Sequence, residues 1–216
     1  MTPGTGSRWR LPALVAQGLY VAASFALAAS LLSSGVNEGT AMYAFRAFLA
    51  GLVGAWWGVI LSRYLRAQVT PETDGTLRAL RASFPWLTAF RMALWLLGLL
   101  LVGAVDPSVN PGTTMIVTLV SFAYIFAKNA VYGTLVRQAG SPQDAAGRAQ
   151  LAQWLNIGAA VALALAVING LPVRGESPPP TPELTLSVLA SVLDLLALTF
   201  ARQAVQELPS AAEGAR

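Results

Sequence analysis

A single lysine, Lys128, sits inside Thr113 to Val136, an apolar stretch long enough to cross a bilayer. An ammonium group at that depth must be paired, hydrated or neutralised, because burial in hydrocarbon penalises its charge. The carboxylate at a comparable depth is Asp194, about ten residues into the last apolar stretch and so ~15 Å from either end at 1.5 Å per residue. Its short side chain cannot reach water from there. Lys128 lies about five residues deeper from the outer side, ~7 Å, and a helical side chain leaning towards the N-terminus covers most of that difference.

Other polar residues share the lysine's side of its helix. At 100° per residue, Thr114, Ser121, Tyr124 and Tyr132 fall within roughly 40° of Lys128, and Asn129 adjoins it. Leu119, Phe122, Phe126 and Val136 cover the opposite side, as expected of a helix with one face on lipid and one on protein or water. Three readings of these residues stay open. The pair is a static pin between the fourth and sixth helices; or it lines a hydrated path with Tyr124, Tyr132, Ser121 and Asn129; or one of the two groups is uncharged and unpartnered.

Two arginines also lie within apolar stretches. Arg46, near the outer end of the second, is expected to snorkel outward. Arg91, near the inner end of the third, leans inward and is read as an interfacial charge and a candidate member of the path.

The elements that must position these groups are six apolar segments at about 11–34, 41–62, 86–105, 113–136, 151–170 and 184–205. Each is read as a helix, since a lone segment in lipid must satisfy its own backbone hydrogen bonds. The breaks are chemically clear: Ser33-Ser-Gly-Val-Asn-Glu-Gly39, Asp106-Pro-Ser-Val-Asn-Pro-Gly112, and a stiff loop from Leu171 to Pro182. The long connection from Arg66 to Phe84 reads as a loop holding a short interfacial helix.

Composition agrees. The chain is 55% hydrophobic and 11% charged over 216 residues, against about 25% charged in soluble proteins. The fold class is therefore an all-α integral membrane protein, one polytopic domain over residues 1–216. Arg8, Arg10, Arg63, Arg66, Arg78, Arg81, Arg137, Arg148 and Arg202 fall on one side of the layout and Arg174 on the other, so both termini are expected in the cytoplasm and the chain in the cell (inner) membrane. The first segment is too long for a typical signal sequence and reads as a retained span.

With no Cys and no His, thiolate chemistry, His-ligated metal and His acid–base catalysis are excluded. No phosphate-binding Gly loop, nucleophile elbow or acidic metal cluster is present, so the chain is not read as an enzyme and no cofactor is expected. Nor is nucleic acid an expected partner, since no basic patch with interleaved aromatics occurs.

Small residues recur every four positions in three segments: Gly18, Ala22, Ala26, Ser30 and Ser34; Ala50, Gly54, Gly58 and Ser62; and Gly158, Ala162, Ala166 and Gly170. Such seams let helix backbones approach closely and are expected to pack within the molecule. Pro85-Trp-Leu-Thr88 echoes Pro182-Glu-Leu-Thr185, a hint of a 3+3 inverted repeat.

Ser121-Phe-Ala-Tyr-Ile-Phe-Ala-Lys128 is similar to the retinal-bearing helix of microbial rhodopsins, which would imply a Schiff base with Asp194 as counter-ion. That family has seven helices with the lysine on the last, whereas here it is on the fourth of six. In size and topology the chain also looks like the substrate-capturing subunits of vitamin uptake systems. Two functions are weighed: a transporter or channel-type permease for a small solute or ion, associating with itself or with other membrane subunits, and a non-catalytic assembly subunit of a larger membrane complex.

Overall fold

The computed structural model describes residues 7–35, 38–66, 75–105, 111–142, 144–170 and 181–208. They form six helices: α1 (Arg10–Ser33), α2 (Glu38–Leu65), α3 (Gly75–Val105), α4 (Pro111–Gln138), α5 (Ala145–Gly170) and α6 (Thr181–Gln206). Among the described residues, five stretches are long and apolar enough to cross a membrane: Arg10–Ser33, Thr40–Leu65, Met115–Gln138, Ala145–Ile168 and Pro182–Gln206. The chain is a multi-pass helical membrane protein. Asp106 and Arg174 lie outside the described residues, as does the side chain of Thr114.

Packing runs around a ring. α1 lies between α2 and α6, α5 between α6 and α4, and α3 completes the circuit against α4 with a lighter touch on α2. Where the start of α1 meets the end of α6, Ser7 Oγ donates to Glu207 Oε2 at 2.9 Å and Arg8 Nε to Oε1 at 2.8 Å. The tightest part of the core lies near that end, where Leu61, Tyr64, Leu135, Leu151, Leu155, Leu198 and Val205 are buried. Outward faces are apolar as well: Leu11, Phe48, Met115, Ile116, Leu119 and Phe126 are all exposed, an inversion of soluble patterning that suits a lipid surroundings.

The third helix departs from expectation. The sequence predicts a loop with a separate interfacial helix over residues 66–84; residues 67–74 lie outside the described residues, and from Gly75 onward α3 is one continuous helix of 31 residues with Pro85 inside it. A proline removes one rung of the hydrogen-bond ladder, and contacts with α4 offset that loss. Phe84 fills the space beside Gly133, where a Cβ would come within 3.0 Å of its ring. One turn earlier, Arg81 Nε and Nη2 reach the carbonyls of Val136 and Arg137, each at 3.4 Å, in the last turn of α4 where carbonyls lack intrahelical partners.

The three small-residue seams also divide. Gly158, Ala162 and Ala166 are buried against neighbouring helices, and Gly54 packs under Gln17 and Tyr20 of α1. Gly18, Ala22, Ala26 and Ser34, expected to pack internally, are instead exposed. α1 turns a different alanine-rich face inward, with Ala13, Ala16, Tyr20, Ala23 and Ala28. A helix with small residues all round does not declare its packing side by spacing alone. Val136, expected on the lipid side of α4, is buried in the core near that helix's end: eight residues past Lys128, it stands only about 80° round the helix from it.

The echo between Pro85 and Pro182 falls at unlike places. Pro182 is in the first turn of α6, whereas Pro85 is well inside α3. α6 is wedged between α1 and α5, and α3 lies at the bundle's edge with Trp86 79% exposed.

Candidate functional site

Lys128 and Asp194 form an ion pair with both residues completely buried, 0% exposed. The lysine is ten residues from the end of α4 and the aspartate twelve from the end of α6, so both sit at mid-depth, ~15–18 Å in. α4 and α6 do not pack directly on each other among the described residues. The two side chains therefore meet across the middle of the bundle.

Small size at one position in α5 permits this. A Cβ on Gly158 would lie 3.4 Å from Val131 of α4 and 3.5 Å from Leu198 of α6, so this glycine is touched by both flanking helices. Val131 is about one turn from Lys128, and Leu198 about one turn from Asp194.

The carboxylate has a second partner. Tyr124 donates its hydroxyl to Oδ2 at 2.7 Å, while the ammonium takes Oδ1. Both oxygens are thus used, and the aspartate's charge is met by one cation and one charge-assisted hydrogen bond.

Around the ammonium stand four aromatic rings. Its Nζ is 5.2 Å from the centroid of Tyr20, 5.2 Å from Tyr132, 5.7 Å from Trp57 and 5.9 Å from Tyr124. Ring faces carry negative potential, and a desolvated cation–π contact is worth about 2 kcal/mol or more. Lysine has three N–H donors and Asp194 Oδ1 takes one, so the ring faces serve the rest of the head group. The arrangement is an aromatic cage closed by one carboxylate, a surrounding suited to a cation with little water.

The residues expected in the site from sequence fare differently. Tyr124 and Tyr132 both face the ammonium. Asn129 is buried and accepts a hydrogen bond from Arg91 Nη1 at 2.9 Å, and the Arg91 guanidinium lies 5.6 Å from the Tyr132 ring centroid. Arg91 is therefore linked to Lys128 through a shared ring. Ser121 is half-buried and makes no hydrogen bond to the pair. Arg46 does not snorkel outward: its Nη2 turns sideways to the carbonyls of Leu94 and Trp95 in α3, both at 3.4 Å.

Tyr20 and Trp57 were not singled out from sequence. A signal existed in their depth, since Tyr20 is ten residues from the start of α1 and Trp57 eight from the end of α2, levels close to that of Lys128. The Trp57 indole nitrogen is buried without a hydrogen-bond partner. Among the described residues no three His, Cys, Asp or Glu side chains come together as metal ligands. Two surface grooves, one between α1 and α2 and one at the α5–α6 end, are not lined by the pair.

Comparisons of the chain with family models, with curated proteins and with solved structures give no match.

Proposed function

We propose that the chain is a small permease of the cell membrane, with six spans and both termini cytoplasmic, that moves a small solute or ion by making and breaking the Lys128–Asp194 pair. The observation that carries this reading is a fully buried, oppositely charged pair at mid-depth, gripped by side chains from α1, α2, α4 and α6. Ionisable groups at the centre of a membrane are costly, and they are kept where ions or substrates pass. Closed on all sides, the pair corresponds to an occluded state in which each charge stands in for a passing ion. A proton reaching Asp194, or a charged solute competing for either partner, removes the attraction that holds α4 to α6. The role is not enzymatic, and Tyr124, Tyr132, Asn129 and Arg91 act by holding the pair, with Ser121 further along the same face.

The test is flux in proteoliposomes under an imposed pH gradient and potential, first for protons and alkali cations and then for a panel of small amines and acids. Wild-type protein should carry a saturable flux that Asp194→Asn and Lys128→Ala each abolish while still folding. No flux for any of these solutes, or undiminished flux in both variants, would overturn the reading.

A second reading, an assembly subunit of a larger complex, is favoured by the exposed small-residue face of α1. It requires the same variants to lower the yield of a partner complex, with no autonomous flux from the wild type.

A further inference from the structure

The groove at the α5–α6 end takes no part in the pair and opens on the outside of the bundle. Its volume is about 610 Å³, within the ~300–1,000 Å³ of small-ligand sites. Arg202 and Gln206 line it from α6, Gln153 and Asn156 from α5.

Three features specify an occupant. The first is charge. Arg202 lies within the stretch of α6 apolar enough to cross a membrane, is half-buried, and makes no hydrogen bond or ion pair among the described residues. Arg148, at the groove's end, already donates to the Leu208 carbonyl at 2.6 Å, and no acidic side chain is among the lining residues. The carboxylates next in sequence are engaged: Asp144 accepts from the amides of Ala146 and Gly147, and Glu207 from Ser7 and Arg8. What the groove offers is a guanidinium, and its complement is an anion.

The second is depth. Arg202 is eight residues from Asp194, ~12 Å along the axis from mid-depth. Gly158 is touched by Leu198, so Asn156, two residues nearer the arginine-rich end, stands ~9 Å from mid-depth. Both levels fall inside the ~15 Å half-thickness of the hydrocarbon. Asn156 and Gln153 are nevertheless exposed, and the side chains of both lack hydrogen-bond partners among the described residues. Polar groups at that level call for a polar neighbour that lipid tails do not supply.

The third is a change of character along α5. Asn156, Ala160, Leu163 and Val167 lie within about 60° of arc, and all are exposed. This face is polar from Gln153 to Asn156 and apolar beyond, the profile of a phospholipid with its head towards the arginine-rich end. We propose that the groove binds the head group of an anionic diacyl phospholipid. Its phosphate accepts from Arg202 and from the side-chain amides of Gln153 and Asn156, and its acyl chains run over Ala160, Leu163 and Val167. Basic pockets between transmembrane helices take such head groups. A zwitterionic lipid brings an ammonium that no carboxylate of the groove meets. A second copy docked through the same face would set one Arg202 near another with no anion between them. The site does not depend on transport, and its readout is binding.

The experiment is titration of the delipidated full chain in non-ionic detergent with phosphatidylglycerol, read by native mass spectrometry, with phosphatidylcholine of the same acyl chains as the comparison. One phosphatidylglycerol should bind per chain, at least about fivefold more tightly, the equivalent of ~1 kcal/mol for one arginine beside an anionic lipid. Arg202→Gln should remove that preference. Asn156→Leu, at an exposed position, should keep the melting temperature and weaken phosphatidylglycerol several-fold. Arg66→Gln, an exposed arginine of the same end outside this groove, should leave both lipids unchanged. Equal affinity for the two lipids, or an equal loss in Arg66→Gln and Arg202→Gln, would overturn the proposal. So would displacement of the lipid by inorganic phosphate, which would make a free anion the occupant, or a wild-type dimer that Asn156→Leu dissociates with no effect on lipid.

Discussion

Lys128 and Asp194 touch although the helices that carry them do not pack on each other. Each charge is consequently met by one opposite charge, with the Tyr124 hydroxyl on Asp194 and the aromatic rings around Lys128 as the remaining partners. Removing one leaves the other buried and unpaired, which costs about 3–5 kcal/mol, whereas replacing both by apolar groups of similar volume is often neutral. Lys128→Met and Asp194→Leu should each lower stability by about that amount, and the double variant should recover most of the loss. A double-mutant cycle by unfolding in detergent measures the coupling. Losses that simply add would mean that the two charges are stabilised independently.

The cage makes a separate prediction about cations. Lys128→Ala removes the ammonium while leaving Tyr20, Trp57, Tyr124 and Tyr132 around a space bounded by Asp194. A free primary alkylammonium fits that space, donating to the carboxylate and facing the rings. Propylammonium should raise the melting temperature of Lys128→Ala in a saturable way and leave wild-type protein unchanged. Tetramethylammonium, which has no N–H to donate, should do less. No shift with either cation would show that the rings do not act as a cation site.

Much of this arrangement could be read from the chain. Length and polarity of the apolar runs gave the helices, and depth along two of them brought Lys128 and Asp194 together. What could not be read followed from packing choices that spacing leaves degenerate. α1 carries small residues on nearly every face, so the four-residue repeat through Gly18 was assigned inward when it faces out. Pro85 looked like a helix boundary because its local effect is disruptive, and the counterweight lies in α4, at Gly133 and the carbonyls of Val136 and Arg137. Tyr20 and Trp57 were missed because aromatic residues in a membrane helix are ordinary, and only depth matching to Lys128 distinguishes these two.

Where Ser7 and Arg8 before α1 meet Glu207 after α6, stability should depend on pH. Partial desolvation pushes the Glu207 carboxyl upward, but hydrogen bonds from Ser7 and Arg8 and the charge of Arg8 outweigh it and hold the group below its ordinary value of 4.5. A carboxyl with a depressed folded-state value binds protons less readily when folded. Its contribution is therefore complete above about pH 4.5 and lost as pH falls through the lowered value. The Arg8 backbone amide donates to Glu207 Oε2 at 3.1 Å, so its NMR resonance should titrate below that pH. In Glu207→Gln the titration should vanish. A resonance that moves with a midpoint above 4.5 would contradict the sign.

Gly158 decides how close α4 and α6 can come, and the size of its substituent should decide the sign of the effect. An alanine Cβ would stand 3.4 Å from Val131 and 3.5 Å from Leu198, ordinary van der Waals distances, so nothing must move. Alanine is also better than glycine inside a helix by about 0.5–1 kcal/mol, which makes Gly158→Ala neutral or stabilising. Leucine has no such room. Its extra carbons must displace Val131 or Leu198, an overpacking cost of about 1–3 kcal/mol, and the displacement acts one turn from each member of the ion pair. Gly158→Leu should therefore lower stability and also shrink the Lys128–Asp194 coupling energy when the double-mutant cycle is repeated in that background. A stability loss with the coupling intact would mean that α5 supports the bundle without setting the distance across which the two charges meet.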